Sequence, residues 1–226
     1  MSIDEITDKI ECLNINKVED VEDIEDNEDN EKDKEITNKL KDLLEPQRDH
    51  KKEILKLNTI KDAHIYCKIN NLSGPMTGPL IEYYIKEKCI MKKNNAKDCI
   101  GDCKDRFMED NEIKASGGGK GHDMFNYVQL RSNHKLDNYI LTAYYLTYDN
   151  YMNGGELFLF KIKKNDISPL IFKYGGYAHG SKSKLGEITL EDIKDINNSK
   201  EYALRPKYDS PLWKELLEYR VSESDL

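Results

Sequence analysis

Two apolar stretches decide the fold, Tyr139-Ile-Leu-Thr-Ala-Tyr-Tyr-Leu-Thr-Tyr148 and Glu156-Leu-Phe-Leu-Phe-Lys-Ile162. Both are rich in aromatic and apolar residues of the kind that buried strands favour. Asn153-Gly154-Gly155 lies directly before the second stretch and is a typical hairpin turn sequence. We therefore predict a buried hairpin whose aromatic side chains pack in a core rather than stack on nucleic-acid bases.

Helical and extended patterns flank this hairpin on both sides. We predict a helix from Pro79 to Cys89, because proline is favoured at the first helical position, and a terminal helix after the capping residue Ser210. The predicted helices after the hairpin span residues 166–173, 190–197 and 211–219. The other predicted strands span residues 96–103, 110–116, 125–130 and 202–205, the last at a sheet edge. This order predicts the α/β class, with a mixed central β-sheet flanked by helices.

Charge divides the chain into unlike segments. Residues 1–35 contain 15 acidic residues and four lysines, a net charge of -11, whereas residues 36–226 contain 28 acidic and 31 basic residues, a net charge of +3. We predict an acidic disordered tail over 1–35, a helical N-terminal segment over 36–73 and the α/β domain over 74–226. The tail either solubilises the protein or mimics nucleic acid and competes for the basic body.

The chain shows neither a signal peptide nor an apolar stretch of membrane-spanning length. We therefore expect a soluble intracellular protein, cytoplasmic or in the nucleoid or nucleus, with no membrane partner. Five cysteines, an odd number, fit a reducing compartment. Buried or incidental thiols are favoured over a zinc or iron–sulfur site, for which the candidate ligands are Cys67, Cys89, Cys99 and Cys103.

One short motif indicates a catalytic site. It consists of an acidic residue, any residue and then lysine. It occurs four times, at 49–51, 102–104, 112–114 and 192–194, and composition alone predicts about six matches. In a strand Glu112 and Lys114 share one face while Ile113 turns into the core, and the small residues that follow let a substrate backbone approach. The match at 192–194 is a rival, but it falls in a predicted helix that begins after Thr189.

Asp102 lies in a Gly-Asp turn about one hairpin's length before Glu112. Two carboxylates and an ammonium at the edge of a sheet are the groups that metal-dependent cleavage of a phosphodiester needs. Asp105 and Asp110 are also near and remain alternatives to Asp102.

A helix bearing Glu82, a strand ending in Gly101-Asp102 and Glu112-Ile-Lys114 on the next strand form a layout that resembles the PD-(D/E)XK nuclease superfamily. Within it, the chain is similar to type II restriction endonucleases over residues 74–190. The resemblance includes Phe125-Asn-Tyr-Val-Gln-Leu-Arg131 and Tyr174-Gly-Gly-Tyr-Ala-His-Gly180. Cys99-Ile-Gly precedes Asp102 where the family often has a proline.

The resemblance implies a restriction endonuclease-like core and a Mg²⁺-dependent DNA endonuclease, with Mn²⁺ as a substitute. Asp102 and Glu112 would bind the metal, supported by Glu82, for which a solvent-facing helix carboxylate is the equal alternative. Lys114 would orient or help deprotonate the attacking water and stabilise charge on the phosphate. The expected substrate is double-stranded DNA, cut at a specific symmetric site by a homodimer.

Five residues outside this centre are candidates for DNA contact. The glycine run 117–121 is predicted to be a flexible loop that presents Lys120 to backbone phosphate. Gln129 and Arg131 are predicted to share a strand face and suit base edges, and His179 and Lys182 lie in a glycine-punctuated loop. For Gln129 and His179 the alternative is a structural role. His122 and Asp123 are either ordinary loop residues or an alternative pair of metal ligands.

Two other functions remain open. One is a different PD-(D/E)XK nuclease, either a repair exonuclease or a junction resolvase. The other is a catalytically inactive nucleic-acid-binding protein in which Glu112 and Lys114 form a surface ion pair.

Overall fold

A six-stranded mixed sheet lies at the centre of the structure, a computed structural model that describes residues 49–95, 98, 100–119 and 122–226. The predicted acidic tail, the predicted helical residues 36–48, Cys99 and Lys120 lie outside this part of the chain. Helices flank the sheet, so the predicted α/β class is confirmed. Asp49–Leu226 belongs to one compact unit, which includes the helices before residue 74.

The strands are β1 (Lys92–Lys93), β2 (Cys103–Lys104), β3 (Asp110–Gly118), β4 (Tyr127–Arg131), β5 (Asn138–Tyr145), β6 (Glu156–Lys163), β7 (Gly176–Tyr177), β8 (Glu201–Leu204) and β9 (Arg220–Val221). The central sheet has the order β1-β2-β3-β5-β6-β9, and a smaller sheet has the order β4-β8-β7. β3 and β5 pair in parallel, whereas the other neighbours pair antiparallel.

The predicted hairpin is present as β5 and β6, paired from Tyr145 opposite Glu156 to Asn138 opposite Lys163. Successive residues of β5 enter two different cores, Tyr139 on one face of the sheet and Ile140 on the other. Both faces are therefore covered, which is why nearly the whole of β5 is buried.

The helices are α1 (His50–Ile54), α2 (Ile60–Ile69), α3 (Gly74–Lys88), α4 (Lys164–Tyr174), α5 (Lys182–Leu185), α6 (Leu190–Lys194) and α7 (Pro211–Leu216). Short 3₁₀ turns span Tyr151–Asn153, Leu217–Tyr219 and Glu223–Asp225. Residues of α1, α2 and α3 form one core with Ile113 and Ile140. The opposite core contains residues of the smaller sheet together with α4, α6 and α7.

Three of the predictions about individual elements are wrong. α3 begins at Gly74, because Pro75 takes the favoured first-turn position and Pro79 is accommodated inside the helix. The predicted edge strand, β8, lies between β4 and β7 and is the centre of the smaller sheet. The predicted strand 96–103 is reduced to Cys103 and Lys104, as far as its residues are described.

The predicted flexible loop at the glycine run is also wrong over its described residues. β3 continues through Gly118, which pairs with Tyr145, and Gly119 bridges to His122. A Cβ atom on Gly119 would lie 1.8 Å from the Leu146 carbonyl oxygen, so glycine allows this close backbone approach. In the described part of the chain no helix is both long enough and apolar enough to cross a bilayer.

Candidate active site

A fork between β2 and β3 positions Asp102. The two strands pair only at Cys103 with Asn111 and at Lys104 with Asp110. β2 begins at Cys103, so Asp102 lies just before the paired residues, where the chain separates from β3. The Asp102 N–H donates to the Asn111 carbonyl (2.7 Å), and the Ile113 N–H, which no longer faces a strand, donates to Asp102 Oδ2 (2.9 Å). The Asp102 carboxylate thus takes the place of the backbone carbonyl that a paired strand would offer to the Ile113 N–H, and it is fixed next to Glu112.

Gly101 makes the fork possible. Its φ of +86° lies in the left-handed region, and a Cβ atom there would lie 2.6 Å from the Asn111 carbonyl oxygen. Both the dihedral angle and the space require glycine. The Gly-Asp pair is therefore a structural requirement for delivering the carboxylate to β3.

Glu112 and Lys114 share a face of β3, and Ile113 is fully buried on the other face. Lys114 Nζ lies 2.6 Å from Glu112 Oε1, and the two side chains are only 16% and 9% exposed. Glu112 is therefore buried and Lys114 half-buried, so the pair is largely withdrawn from solvent.

α3 brings Glu82 and Lys86 to the same place, one helical turn apart. Lys86 Nζ lies 3.9 Å from Asp102 Oδ1. Burial, followed by the negative charges of Asp102 and Glu112, raises the pKa of Glu82 to about 7, although Lys114 and Lys86 oppose this shift. Glu82 consequently belongs to the same cluster of interacting charges as the other three predicted residues, Asp102, Glu112 and Lys114.

The protonation states of the pair follow from its surroundings. Burial works against the charged form of Lys114, but Glu112, Glu82 and Asp102 outweigh it, so the pKa of Lys114 lies above its ordinary value. Burial also works to raise the pKa of Glu112, but His134 and Lys114 hold it below the usual range. The centre therefore contains an ammonium and an ionised carboxylate at neutral pH.

Asp105 and Asp110, the alternatives to Asp102, bind other groups. Asp105 Oδ2 and Glu109 Oε2 each accept from Lys161 Nζ at 2.9 Å, and Asp105 also caps backbone N–H groups of its own turn. Asp110 pairs with Lys104 at 2.9 Å. These contacts fix the turn between β2 and β3 and leave Asp102 as the aspartate beside Glu112.

The rival motif at 192–194 lies in α6, as predicted. The Thr189 hydroxyl accepts from the Asp192 N–H (3.0 Å), and Asp192 pairs with Lys200 across 3.3 Å. Ile193 is buried while Lys194 is exposed. This match is an amphipathic helix with a solvated charged face.

Two residues of the centre were missed by the sequence reasoning, Lys86 and His134. Lys86 stands four residues after Glu82, so helical spacing was a usable signal. His134 Nδ1 lies 3.7 Å from Glu112 Oε2, and His134 comes from the segment between β4 and β5. No local pattern marks it, because the contact joins residues 22 positions apart in sequence.

The donor set suits a hard cation. Asp102 and Glu112 supply carboxylate oxygens, and proteins commonly hold Mg²⁺ with one or two carboxylates, the other positions being taken by water and substrate phosphate. Among residues 49–95, 98, 100–119 and 122–226, no group of three or more His, Cys, Asp or Glu is arranged to hold a metal. Cys67, Cys89 and Cys103 are free thiols. The match to Mg²⁺ therefore rests on the carboxylate chemistry of Asp102 and Glu112 alone.

The candidate DNA-contact residues differ in local structure and in their partners. Gln129 is exposed at a bulge in β4 with φ +60°, so the simple alternation expected to place it on one face with Arg131 is interrupted. Arg131 Nε donates to Glu201 Oε1 (2.7 Å), and the 80% exposed His179 side chain lies 3.7 Å from Glu201 Oε2. Lys182 pairs with Glu187 at 2.9 Å. Arg131 and His179 therefore meet at one carboxylate.

Comparison with protein-family models gives no match, and comparison with curated proteins gives none either.

Proposed function

We propose that this protein is a Mg²⁺-dependent DNA endonuclease that hydrolyses phosphodiester bonds of double-stranded DNA. The observation that carries the proposal is the largely buried Glu112–Lys114 pair beside Asp102 at the strand fork. We further propose that the enzyme resembles type II restriction endonucleases in cutting at a specific site as a homodimer.

The burial of the ion pair supports a functional role over a structural one. Removing two charges from water costs several kcal/mol per ion, and apolar residues of similar volume stabilise a fold as well or better. Glu82 adds a third carboxyl group with a raised pKa to the same place. Several ionisable groups with shifted pKa values in one place are typical of catalytic sites.

The roles of the side chains follow from their charges. Asp102 and Glu112 would hold the Mg²⁺, which when bound lowers the pKa of a coordinated water and offsets phosphate charge. Lys114 is protonated, so it stabilises negative charge on the phosphate and orients the water as a donor rather than as a base. Glu82, whose pKa burial and the charge of Asp102 raise to about 7, would support these two carboxylates at the metal site.

The test is cleavage of supercoiled plasmid DNA with Mg²⁺ or with EDTA, using the wild type and the variants Glu112→Gln and Lys114→Gln. We expect each variant to lose about 100-fold or more in rate, because each removes one charge that acts on the transition state. Asp192→Asn is the matched control, since it carries the same sequence pattern in α6 and lies in a solvated ion pair. It should cleave like the wild type.

The products separate the alternatives. Discrete fragments support a site-specific endonuclease, degradation from free ends supports an exonuclease, and preferential cutting of four-way junctions supports a resolvase. DNA binding without cleavage by any form of the protein supports the inactive alternative. Cleavage that survives both Glu112→Gln and Lys114→Gln rejects this site.

A further inference from the structure

His134 lies between the candidate catalytic carboxylate and a candidate DNA contact. Its imidazole is buried, with Nδ1 3.7 Å from Glu112 Oε2 and Nε2 3.3 Å from Arg131 Nη1. The two ring nitrogens thus face groups of opposite hydrogen-bonding character. One is a carboxylate that only accepts, and the other is a guanidinium that only donates.

This arrangement selects one tautomer of the ring. Because all the N–H groups of Arg131 are donors, Nε2 of His134 must be the accepting, unprotonated nitrogen. The ring proton then lies on Nδ1, which faces Glu112 Oε2. An adjustment of less than about 1 Å brings this N–H within hydrogen-bonding distance of the carboxylate.

We propose that His134 is a positioning residue that orients Glu112 through its Nδ1–H, and that Arg131 holds His134 in the required tautomer. The proposal rests on the function proposed above, because Glu112 is the group whose orientation is controlled. Glu112 is then held on both sides, by Lys114 at Oε1 and by His134 at Oε2. A carboxylate fixed at both oxygens keeps one orientation toward the reacting phosphate.

The surroundings fix the imidazole in place. Lys164 Nζ donates to the carbonyl oxygens of Ser132 and His134, and the Tyr139 hydroxyl donates to the Arg131 carbonyl (3.1 Å). The backbone on both sides of the contact is thereby anchored to α4 and β5. Ser132 Oγ and Asn133 Oδ1 are buried without a hydrogen-bonding partner among the described residues.

Arg131 extends the contacts toward the surface. It binds Glu201, whose second oxygen lies 3.7 Å from His179. The Glu201 and His134 contacts leave N–H donors of Arg131 unused, so a DNA phosphate or base edge can engage Arg131 without displacing His134. Contact with DNA at Arg131 is consequently linked to the orientation of Glu112 through a single imidazole.

The first test compares His134→Asn with His134→Gln in plasmid cleavage. The asparagine amide can occupy the place of Nδ1–H, whereas the glutamine amide extends to the place of Nε2. We expect His134→Asn to keep kcat within about 3-fold of the wild type and His134→Gln to lower kcat by about 10- to 100-fold with little change in KM. The control is His50→Gln, because His50 is a partly buried histidine on α1 that contacts Tyr66 at 2.7 Å, and its loss should leave kcat unchanged.

A double variant tests the role of Arg131. If both residues act through Glu112, then Arg131→Met combined with His134→Gln lowers kcat no further than His134→Gln alone, apart from an effect on KM. Additive losses in kcat overturn the linkage. Equal losses in His134→Asn and His134→Gln, with unchanged thermal unfolding midpoints, overturn the donor role of Nδ1.

The second test does not depend on activity. Nitrogen NMR of histidine-labelled protein reports which ring nitrogen carries the proton. We expect the Nδ1–H tautomer for His134 in the wild type and a mixture in Arg131→Met. The Nε2–H tautomer in the wild type, or no change in Arg131→Met, contradicts the proposal.

If the wild type does not cut DNA, the proposed function fails although the tautomer can still be measured. If Glu112→Gln is inactive while both His134 variants keep full kcat, only the inference about His134 fails.

Discussion

At the scale of single residues, Glu82 is a carboxyl group held where ionisation is unfavourable. Burial and the charge of Asp102 raise its pKa from 4.5 to about 7. The folded state therefore binds the Glu82 proton more tightly than the unfolded state, and stability falls as pH rises from about 4.5 to about 7. A group that destabilises the fold at neutral pH is consistent with a functional role.

Glu82→Gln should raise the free energy of unfolding at about pH 8 by roughly 1 to 2 kcal/mol in EDTA, a value reduced for partial solvent screening. The amide cannot ionise, so the cost of a buried charge is removed. At about pH 4 the variant and the wild type should be equally stable, because both are neutral there. Urea denaturation at the two pH values measures the difference, and a less stable variant at the higher pH contradicts it.

Gly101→Ala should destabilise the protein by about 2 kcal/mol or more, because the residue has a positive φ and a Cβ atom would meet the backbone of β3. Gly117→Ala is the control. Gly117 lies in β3, and an alanine Cβ there would meet only the Tyr144 carbonyl oxygen, at an ordinary 3.8 Å, so alanine should stabilise the strand by about 0.5 to 1 kcal/mol. Chemical denaturation compares the two variants, and equal effects would show that the fork does not require glycine.

At the scale of elements, one buried contact joins α2 to β5 on the face opposite to Tyr139. His64 Nε2 lies 3.0 Å from Thr142 Oγ1, and the ring stacks on Tyr144 with centroids 5.3 Å apart. Burial lowers the pKa of His64 to about 3. The packing of α2 on the sheet therefore favours the neutral imidazole.

The stability contributed by this neutral histidine should be lost as the pH falls. The unfolded chain binds a proton at His64 below about pH 6.5, whereas the folded chain does so only near pH 3, so unfolding becomes easier by about 1.4 kcal/mol for each pH unit in between. His64→Gln keeps a polar group for Thr142 and does not titrate. Its unfolding free energy should therefore fall less steeply between about pH 6 and pH 4 than that of the wild type. Parallel profiles would contradict the prediction.

At the scale of the whole molecule, charge is distributed unevenly along the chain. The total of -8 results from -11 in residues 1–35 and +3 in the rest. The proposed substrate, DNA, is itself negatively charged, so a net negative charge on the protein repels it at long range. The acidic segment should consequently weaken non-specific association without changing the centre at β2 and β3.

Deletion of residues 1–35 should tighten binding to non-specific duplex DNA several-fold at about 50 mM salt, and the effect should shrink at about 300 mM salt because charges are screened. Fluorescence anisotropy with a labelled duplex measures both affinities. A variant of full length with the acidic residues of this segment replaced by Asn and Gln is the control and should behave like the deletion. Unchanged affinity in both variants rejects an electrostatic role.

Local patterns predicted the elements that local forces determine. The β5–β6 hairpin followed from apolar composition and a glycine turn, and the caps at Ser210 and Thr189 are present as hydrogen bonds to the third following N–H. The common face of Glu112 and Lys114 followed from the two-residue period of a strand. These features depend on neighbours a few residues away, so they are legible in the sequence itself.

Only the tertiary structure decided how distant residues meet. It placed Asp102, rather than Asp105 or Asp110, beside Glu112, because the strand fork leaves the Ile113 N–H free to bind that carboxylate. It brought Lys86 and His134 to the centre from α3 and from the segment before β5. It also placed β8 inside the smaller sheet. Such contacts depend on which strands pair and where they separate, and this is determined by burial across the whole domain rather than by any local pattern.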